Sequence, residues 1–267
     1  NPSHPHTYPF AERFGVLAAY LPGAEAFNET GLDLSWRLPL PGSWSVTANA
    51  DVLQGDSFRV ERPISTFPND PAYWIFFGPY DRSDEPRSAW LGRLAAFAPV
   101  GDRSGVELGL SATQGTNNVA ARARTLVVGG DVKAKLWTGP NAYLLAQGEY
   151  LQLDRDDAGW NPGAAVYTRG KTKSSGGYLF ADYNWALRYD AGVSFESFED
   201  PAAADARETS YGMHAGLALM EETTAFRLDW RRVHPGRPVG ASAAPAAPNH
   251  LTLRVIYSMG PHKAHQF

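Results

Sequence analysis

The sequence lacks several features that would indicate common classes of protein. The 267-residue chain contains no cysteine, which excludes disulfide bridges, thiol nucleophiles and Cys-ligated zinc. No apolar run approaches the roughly 20 residues of a membrane-spanning helix. Charged residues make up 19% of the chain and the net charge is -4, so the dense cationic surface that nucleic acids require is absent.

Sequence motifs of enzymes are also absent. The chain has no nucleophile elbow, phosphate-binding loop, HExxH motif or dinucleotide fingerprint. The spaced glycines of GVELGLSATQG lie in a predicted strand hairpin with no helix after them. We therefore predict that the protein is not an enzyme.

The sequence is instead rich in turn residues and in alternating apolar positions. It contains 26 Gly and 20 Pro, and 12% of its residues are aromatic. Residues 31–40 alternate Leu or Trp with polar side chains such as Asp33 and Arg37, and residues 44–52 repeat the alternation after a Pro-Gly-Ser turn. Period two is the signature of a β-strand with one apolar and one polar face, so these residues predict a hairpin.

The same alternation recurs to the end of the chain and predicts about eleven strands. Their length of roughly ten residues suits a tilted transmembrane strand. Short links alternate with long polar links at 55–86, 154–173 and 234–248, as in bacterial outer-membrane barrels. The predicted spans are 31–40, 44–54, 87–97, 104–114, 124–136, 141–153, 174–185, 187–198, 208–219, 223–233 and 249–259.

Alternation alone fits both a soluble β-sandwich and a membrane barrel, which differ in where the apolar face points. Aromatic residues near strand ends favour the barrel because they resemble interfacial girdles. We predict an all-β, antiparallel, up-and-down transmembrane barrel, with a soluble ligand-binding sandwich as the open alternative. The aromatic residues concerned are Trp36, Trp44, Trp137, Tyr143 and Tyr257.

Both ends of the chain carry motifs of a known family. The segments NPSHPHTYPFAERF, GLDLSWRLPLPGSW and SMGPHKAHQF resemble Gram-negative outer-membrane proteins labelled zinc-regulated TonB-dependent receptors. These are similar in layout to phosphate-selective porins of the O and P type. The resemblance implies an outer-membrane location and matches the C-terminal part of a longer barrel. Tyr257 in the last strand and the terminal Phe267 resemble the signal that the barrel-assembly machinery reads.

Strand topology bears on how the barrel would close. Eleven strands counted back from a periplasmic end put residue 1 outside the cell, whereas bacterial barrels begin in the periplasm with an even strand count. We expect about five further strands to give a 16-stranded barrel. Alternatively, residues 7–20 supply a twelfth strand. Residues 1–30 are predicted to be an extracellular or lumen-inserted segment, and residues 31–267 the barrel.

Charged residues of both signs fall on the predicted inward face in near-even balance, which favours cross-strand ion pairs over an anion-selective ladder. Lys133/Lys135 and Arg227/Arg231 are candidates for weak anion contact, and His214 is expected to be a solvated lumen residue. The predicted lumen-lining residues are Arg37, Asp51, Arg93, Glu107, Lys133, Lys135, Arg188, Asp190, His214, Arg227, Arg231 and Arg254.

Two histidine pairs are candidate metal ligands, because neutral imidazoles bind Zn, Ni or Cu. His4 and His6 flank Pro5, and His262 and His265 lie near the end. The predicted topology puts the pairs on opposite sides of the membrane, so they do not form one site. We expect no cofactor, with a divalent metal at His4 and His6 as the one alternative.

The sequence therefore predicts a porin-like barrel of the bacterial outer membrane that passes small solutes passively or with weak selectivity. The alternatives are a structural or binding barrel that docks another envelope or surface component, and a metal-linked uptake receptor. The expected partners are outer-membrane lipid and lipopolysaccharide, the barrel-assembly machinery, and further copies of the chain or another envelope protein. No nucleic acid partner is expected.

Overall fold

The computed structural model of the protein is one antiparallel sheet of eleven strands, in which each strand pairs with its neighbours in chain order. It describes residues 13–23, 27, 29–58, 87–119, 121–161, 163–164, 166–203, 206–220, 224–237 and 246–257. The predicted all-β, up-and-down arrangement is confirmed. No helix within these residues has the length and apolar character needed to cross a membrane. The strands are β1 (Gly31–Leu38), β2 (Ser45–Leu53), β3 (Ala89–Val100), β4 (Ser104–Asn118), β5 (Ala123–Gly139), β6 (Ala142–Asn161), β7 (Val166–Trp185), β8 (Tyr189–Glu199), β9 (Arg207–Met220), β10 (Thr224–His234) and β11 (Asn249–Tyr257).

Strand register gives the sheet two chemically different faces. In the first hairpin Leu34 pairs with Ala50, and Ser35 pairs with Asn49. Apolar residues therefore lie on one side of the sheet and polar residues on the other. The same register continues across the sheet. We call the side carrying Ser35 the polar face and the side carrying Leu34 the apolar face. The apolar face is widely exposed: Leu34 keeps 71% of its surface and Leu110 keeps 64%.

The longest strands extend beyond the predicted spans. β6 and β7 pair from Ala142↔Trp185 to Asn161↔Val166, so the predicted loop at 154–173 is wrong and forms a two-stranded ribbon. Polar side chains predominate on both sides of this ribbon, and Lys171 Nζ forms an ion pair with Asp154 Oδ1 at 2.9 Å. A ribbon with polar residues on both faces does not alternate apolar and polar positions. The period-two pattern therefore did not predict these strand residues.

A short helix, α1 (Gly15–Tyr20), precedes the sheet and packs on its polar face. Its contacts are with β6, β7 and β8. Residues 13–20 therefore do not form the alternative twelfth strand, because their apolar side chains bury themselves on a face instead of pairing with an edge. The buried cluster that they form with the sheet is Phe14, Val16, Tyr20, Val127, Leu151, Leu153, Tyr178, Phe180 and Phe198.

Two of the predicted girdle aromatics lie on the other face. Trp137 pairs with Tyr143, and both share the polar face with Lys135, so their assignment to the apolar face is wrong. Tilted rings 5.2 Å apart cover this end of the polar face. Trp36 lies on the apolar face as predicted and is 61% exposed.

Candidate functional site

The polar face collects most of the residues predicted to line a lumen. The exception is Arg188, which lies in the turn between β7 and β8, where its guanidinium donates to the Leu219 carbonyl at 3.4 Å. The predicted strand 187–198 begins two residues too early, since β8 begins at Tyr189, so Arg188 does not belong to a strand. The polar-face residues are Arg37 on β1, Asp51 on β2, Arg93 on β3, Glu107 on β4, Lys133 and Lys135 on β5, Asp190 on β8, His214 on β9, Arg227 and Arg231 on β10, and Arg254 on β11.

Ion pairs on this face join strands that are not adjacent. Arg93 on β3 reaches across β4 to Asp131 on β5, with Nη1 2.6 Å from the carboxylate. The residue beneath the pair is Gly109, where an added Cβ would lie 2.5 Å from the Arg93 guanidinium. The absent side chain makes room for the pair. Glu107 adds a second carboxylate 3.3 Å from the same guanidinium.

The arrangement repeats at β8–β10. Arg227 on β10 crosses β9 to Asp190 on β8 at 2.9 Å, over Gly216, where a Cβ would lie 2.2 Å from the nearer Asp190 carboxylate oxygen. Arg231 reaches Glu196 on β8 at 2.5 Å. The guanidiniums of Arg227 and Arg231 are thus held by carboxylates, which corrects their assignment as an anion-contact pair.

Glu196 joins the sheet to α1. It keeps 1% of its side-chain surface. One carboxylate oxygen accepts the Val16 backbone N–H at 2.6 Å, and the other accepts the Ser210 hydroxyl at 3.1 Å and the Arg231 guanidinium. Buried carboxylates are stable only with this kind of full partnering. The first turn of α1 is therefore held by a side chain 180 residues away in the chain.

Aromatic contacts hold the two ends of α1. Phe14 stacks on Tyr178 with ring centroids 4.0 Å apart. Tyr20 meets Phe198 edge to face, and its hydroxyl donates to the Glu199 carbonyl at 2.8 Å. Burial raises the pKa of Tyr20 above its usual range, so the phenol stays protonated and keeps donating this bond.

His214 is buried and does not behave as the solvated lumen residue that the sequence predicted. Its side chain keeps 4% of its surface, and Nε2 lies 2.8 Å from Asp182 Oδ1. Phe180 stacks on the imidazole with parallel rings 5.5 Å apart. Asp182 and Phe180 of β7 reach the ring across β8, which has only Gly192 opposite His214.

A cationic and aromatic cluster lies at the turn end of β5 and β6. Arg103 sits 3.6 Å above the Trp137 ring, and Lys135 Nζ lies 4.4 Å from the Tyr143 ring. Cation–π contacts of this kind stabilise a positive charge beside an aromatic ring. At the far edge of the sheet, Arg254 Nε and Nη2 are buried without a hydrogen-bond partner among the described residues.

The other sequence-predicted site residues cannot be compared with the structure. His4, His6, His262, His265 and Phe267 lie outside the described residues. Tyr257 ends β11, and the description of this position is limited to its backbone.

Sequence reasoning missed Asp182 and the role of Glu196 as an anchor, and for residues 1–30 it left open an extracellular or an inserted position. Asp182 lies in GGYLFADYNW, which is apolar on both faces because its polar-face residues Tyr178 and Phe180 pack under α1. One available signal was the apolar run Val16 to Leu21 just before the first strand. Its need for a buried face predicts docking somewhere, but not where.

Comparisons with known proteins give one distant relative and no function. An uncharacterized protein of Aquifex aeolicus is 26% identical over 205 residues, which cover 73% of this chain and 41% of that protein. The chain therefore matches less than half the length of that relative. No protein-family model matches the chain, and no solved structure matches it significantly.

Proposed function

We propose that the eleven-stranded sheet is the wall of a transmembrane β-barrel in the bacterial outer membrane, with a porin-like role in passing small solutes. The apolar face carries this proposal. Soluble proteins seldom expose contiguous apolar patches above a few hundred Å². Here strands from β1 to β11 all present large apolar side chains, among them Leu34, Leu110, Val193 and Leu253, each exposed by 59% or more. Lipid hydrocarbon is the environment in which such a face is stable.

Location in hydrocarbon requires that the sheet edges be paired. Within the described residues, β1 pairs on one side with β2, and β11 pairs on one side with β10. Each backbone N–H or C=O left unpaired in lipid costs several kcal/mol. We propose that these edges close the barrel, either on each other or through further strands.

The polar face supports weak rather than strong selectivity. Three of its arginines, Arg93, Arg227 and Arg231, are held in close ion pairs, so they do not form a row of open cations. In a barrel this face would line the interior, and α1 would occupy part of the space against β6–β8. We propose that α1 narrows the passage.

The buried cluster around α1 favours a second candidate, a barrel that is closed to solutes and serves as a binding partner in the envelope. The observation that supports it is the packing of Phe14, Val16 and Tyr20 against the polar face of the sheet, which would fill part of a barrel interior. The same docking would be present in a narrowed pore, so conductance distinguishes the two.

Cysteine labelling tests membrane insertion directly. The chain has no native Cys, so Leu34→Cys and Ser35→Cys each give a unique thiol on adjacent, exposed positions of β1. In proteoliposomes we expect a water-soluble maleimide to label Ser35→Cys and to leave Leu34→Cys unlabelled, because lipid covers only the apolar face. The control is the urea-unfolded protein, in which both thiols must react. Rapid labelling of both in folded protein would contradict insertion.

Planar-bilayer conductance tests the transport role. We expect stable single-channel steps from the folded full chain, with a reversal potential near zero in a salt gradient because the interior charges are paired. The matched sample is the same preparation after heat unfolding, which should be silent. Silence from protein that passes the labelling test would refute the porin-like role and favour the binding barrel.

A further inference from the structure

A cluster of three ligand-type side chains lies on the polar face where β7, β8 and β9 run side by side. Asp182, Asp190 and His214 each direct one ligand atom to a common point, and these atoms lie within 4.8 Å of one another. His214 Nε2 is 2.8 Å from an Asp182 oxygen and 3.6 Å from an Asp190 oxygen. All three side chains keep 13% or less of their surface.

These distances match the spacing of ligands around a small metal ion. Nitrogen and carboxylate oxygen bind Zn²⁺ at about 2.0–2.2 Å, which places tetrahedral ligand atoms roughly 3.3 Å apart. The separations of 2.8 and 3.6 Å bracket that value. A bound ion would replace the hydrogen bond between His214 and Asp182, and the Asp182 and Asp190 oxygens, which lie within 4.8 Å of each other, would both face it.

A fourth oxygen is available beside the cluster. Asn184 lies two residues after Asp182 and pairs with Asp190 across the β7–β8 ladder. Its Oδ1 atom is buried and has no hydrogen-bond partner among the described residues. Buried carbonyl oxygens in proteins are nearly always satisfied, so we include this oxygen as a candidate donor to an ion bound beside Asp190.

The surroundings fix the imidazole and tune the charge. Phe180 stacks on the His214 ring, and Gly192 beneath it leaves no side chain in its way. Arg227 donates to Asp190 in the position of an outer-shell partner that orients a ligand. Asp229 pairs with His214 across β9–β10 and lies 3.9 Å from Arg254. Three carboxylates, those of Asp182, Asp190 and Asp229, thus lie near two guanidiniums, those of Arg227 and Arg254.

We propose that Asp182, Asp190 and His214 form a binding site for a divalent first-row transition metal ion, with Asn184 as the neighbouring oxygen donor. A mixed imidazole and carboxylate set suits such ions. The site would tie β7, β8 and β9 together beneath the α1 cluster. It does not depend on whether the protein conducts solutes.

Zn²⁺ titration calorimetry and Co²⁺ absorption in detergent micelles test the site. Terminal histidines are removed first, so that they do not contribute adventitious binding. We expect one ion per chain in this background, a Co²⁺ spectrum of a low-coordinate site, and a thermal midpoint raised by excess Zn²⁺ because the ion binds the folded state. The background protein carries His4→Ala, His6→Ala, His262→Ala and His265→Ala.

Substitutions in that background locate the ion. His214→Ala and Asp182→Asn should each weaken Zn²⁺ binding by at least about tenfold, whereas His234→Ala, an exposed histidine outside the cluster, should leave it unchanged. Absence of binding in the background protein, or equal affinity in His214→Ala, would overturn the proposal.

Discussion

Replacing Glu196 with alanine is expected to lower the free energy of unfolding by about 3 kcal/mol, because loss of one member of a buried ion pair strands the other. The carboxylate that is lost holds Arg231, Ser210 and the Val16 N–H together. Urea unfolding in lipid bilayers, followed by tryptophan fluorescence, measures the change. In the proposed pore the same variant should raise single-channel conductance, since α1 loses its anchor.

Two substitutions to glutamine distinguish the loss of a charge from the loss of the contact with α1. Glu196→Gln keeps an oxygen for the Val16 N–H and should therefore retain more of the α1 contact than Glu196→Ala does. Glu107→Gln is the matched control on the same face, where a side chain 42% exposed pairs with Arg93 at 3.3 Å. Its cost should stay within about 1 kcal/mol. A Glu196→Ala protein as stable as the control would refute the anchoring role.

The second large effect is expected at Gly176, where β7 passes directly beside Phe198 of β8. An added Cβ would lie 2.5 Å from the Phe198 Cα and 2.8 Å from the Ser197 carbonyl oxygen. These are backbone atoms that cannot rotate away. Gly176→Ala should therefore cost roughly 2–3 kcal/mol by overpacking, and it should loosen α1 because Phe198 packs against Tyr20. The same urea unfolding experiment gives the number.

Gly130→Ala is the control for this substitution. It lies on the apolar face of β5, where the nearest atom to an added Cβ is a Leu110 methyl carbon at 3.4 Å, an ordinary contact. Its effect on stability should fall within about 0.5 kcal/mol. If the two alanine variants unfold at the same urea concentration, close packing at Gly176 does not determine the stability of the sheet.

The polar face shows how glycine and charge work together in this sheet. Gly109 and Gly216 each lie beneath an ion pair that joins the strands on either side of them. Such a pair connects three strands rather than two. It also neutralises charges that a selective channel would present to passing ions. The ion pairs thus favour a rigid wall over a strongly charged passage.

Several features could be predicted from sequence alone because they depend on local alternation. The eleven strands and the division into an apolar and a polar face follow from period two, since successive side chains on a strand point to opposite sides, and the up-and-down order follows from the alternating short and long links. The hairpin at residues 41–43 follows from its turn residues, with Gly42 at φ 90°. The polar-face positions of Arg93, Asp190 and Arg227 follow from the same parity.

Tertiary structure alone decided what those residues contact. Glu196 meets Val16 across 180 positions, and Asp182 meets His214 across 32, distances at which periodicity carries no information. Parity tells which face a side chain occupies, but pairing across an intervening strand depends on register and on a glycine that leaves space. For the same reason the docking of α1 and the burial of His214 could be read only from the packed sheet.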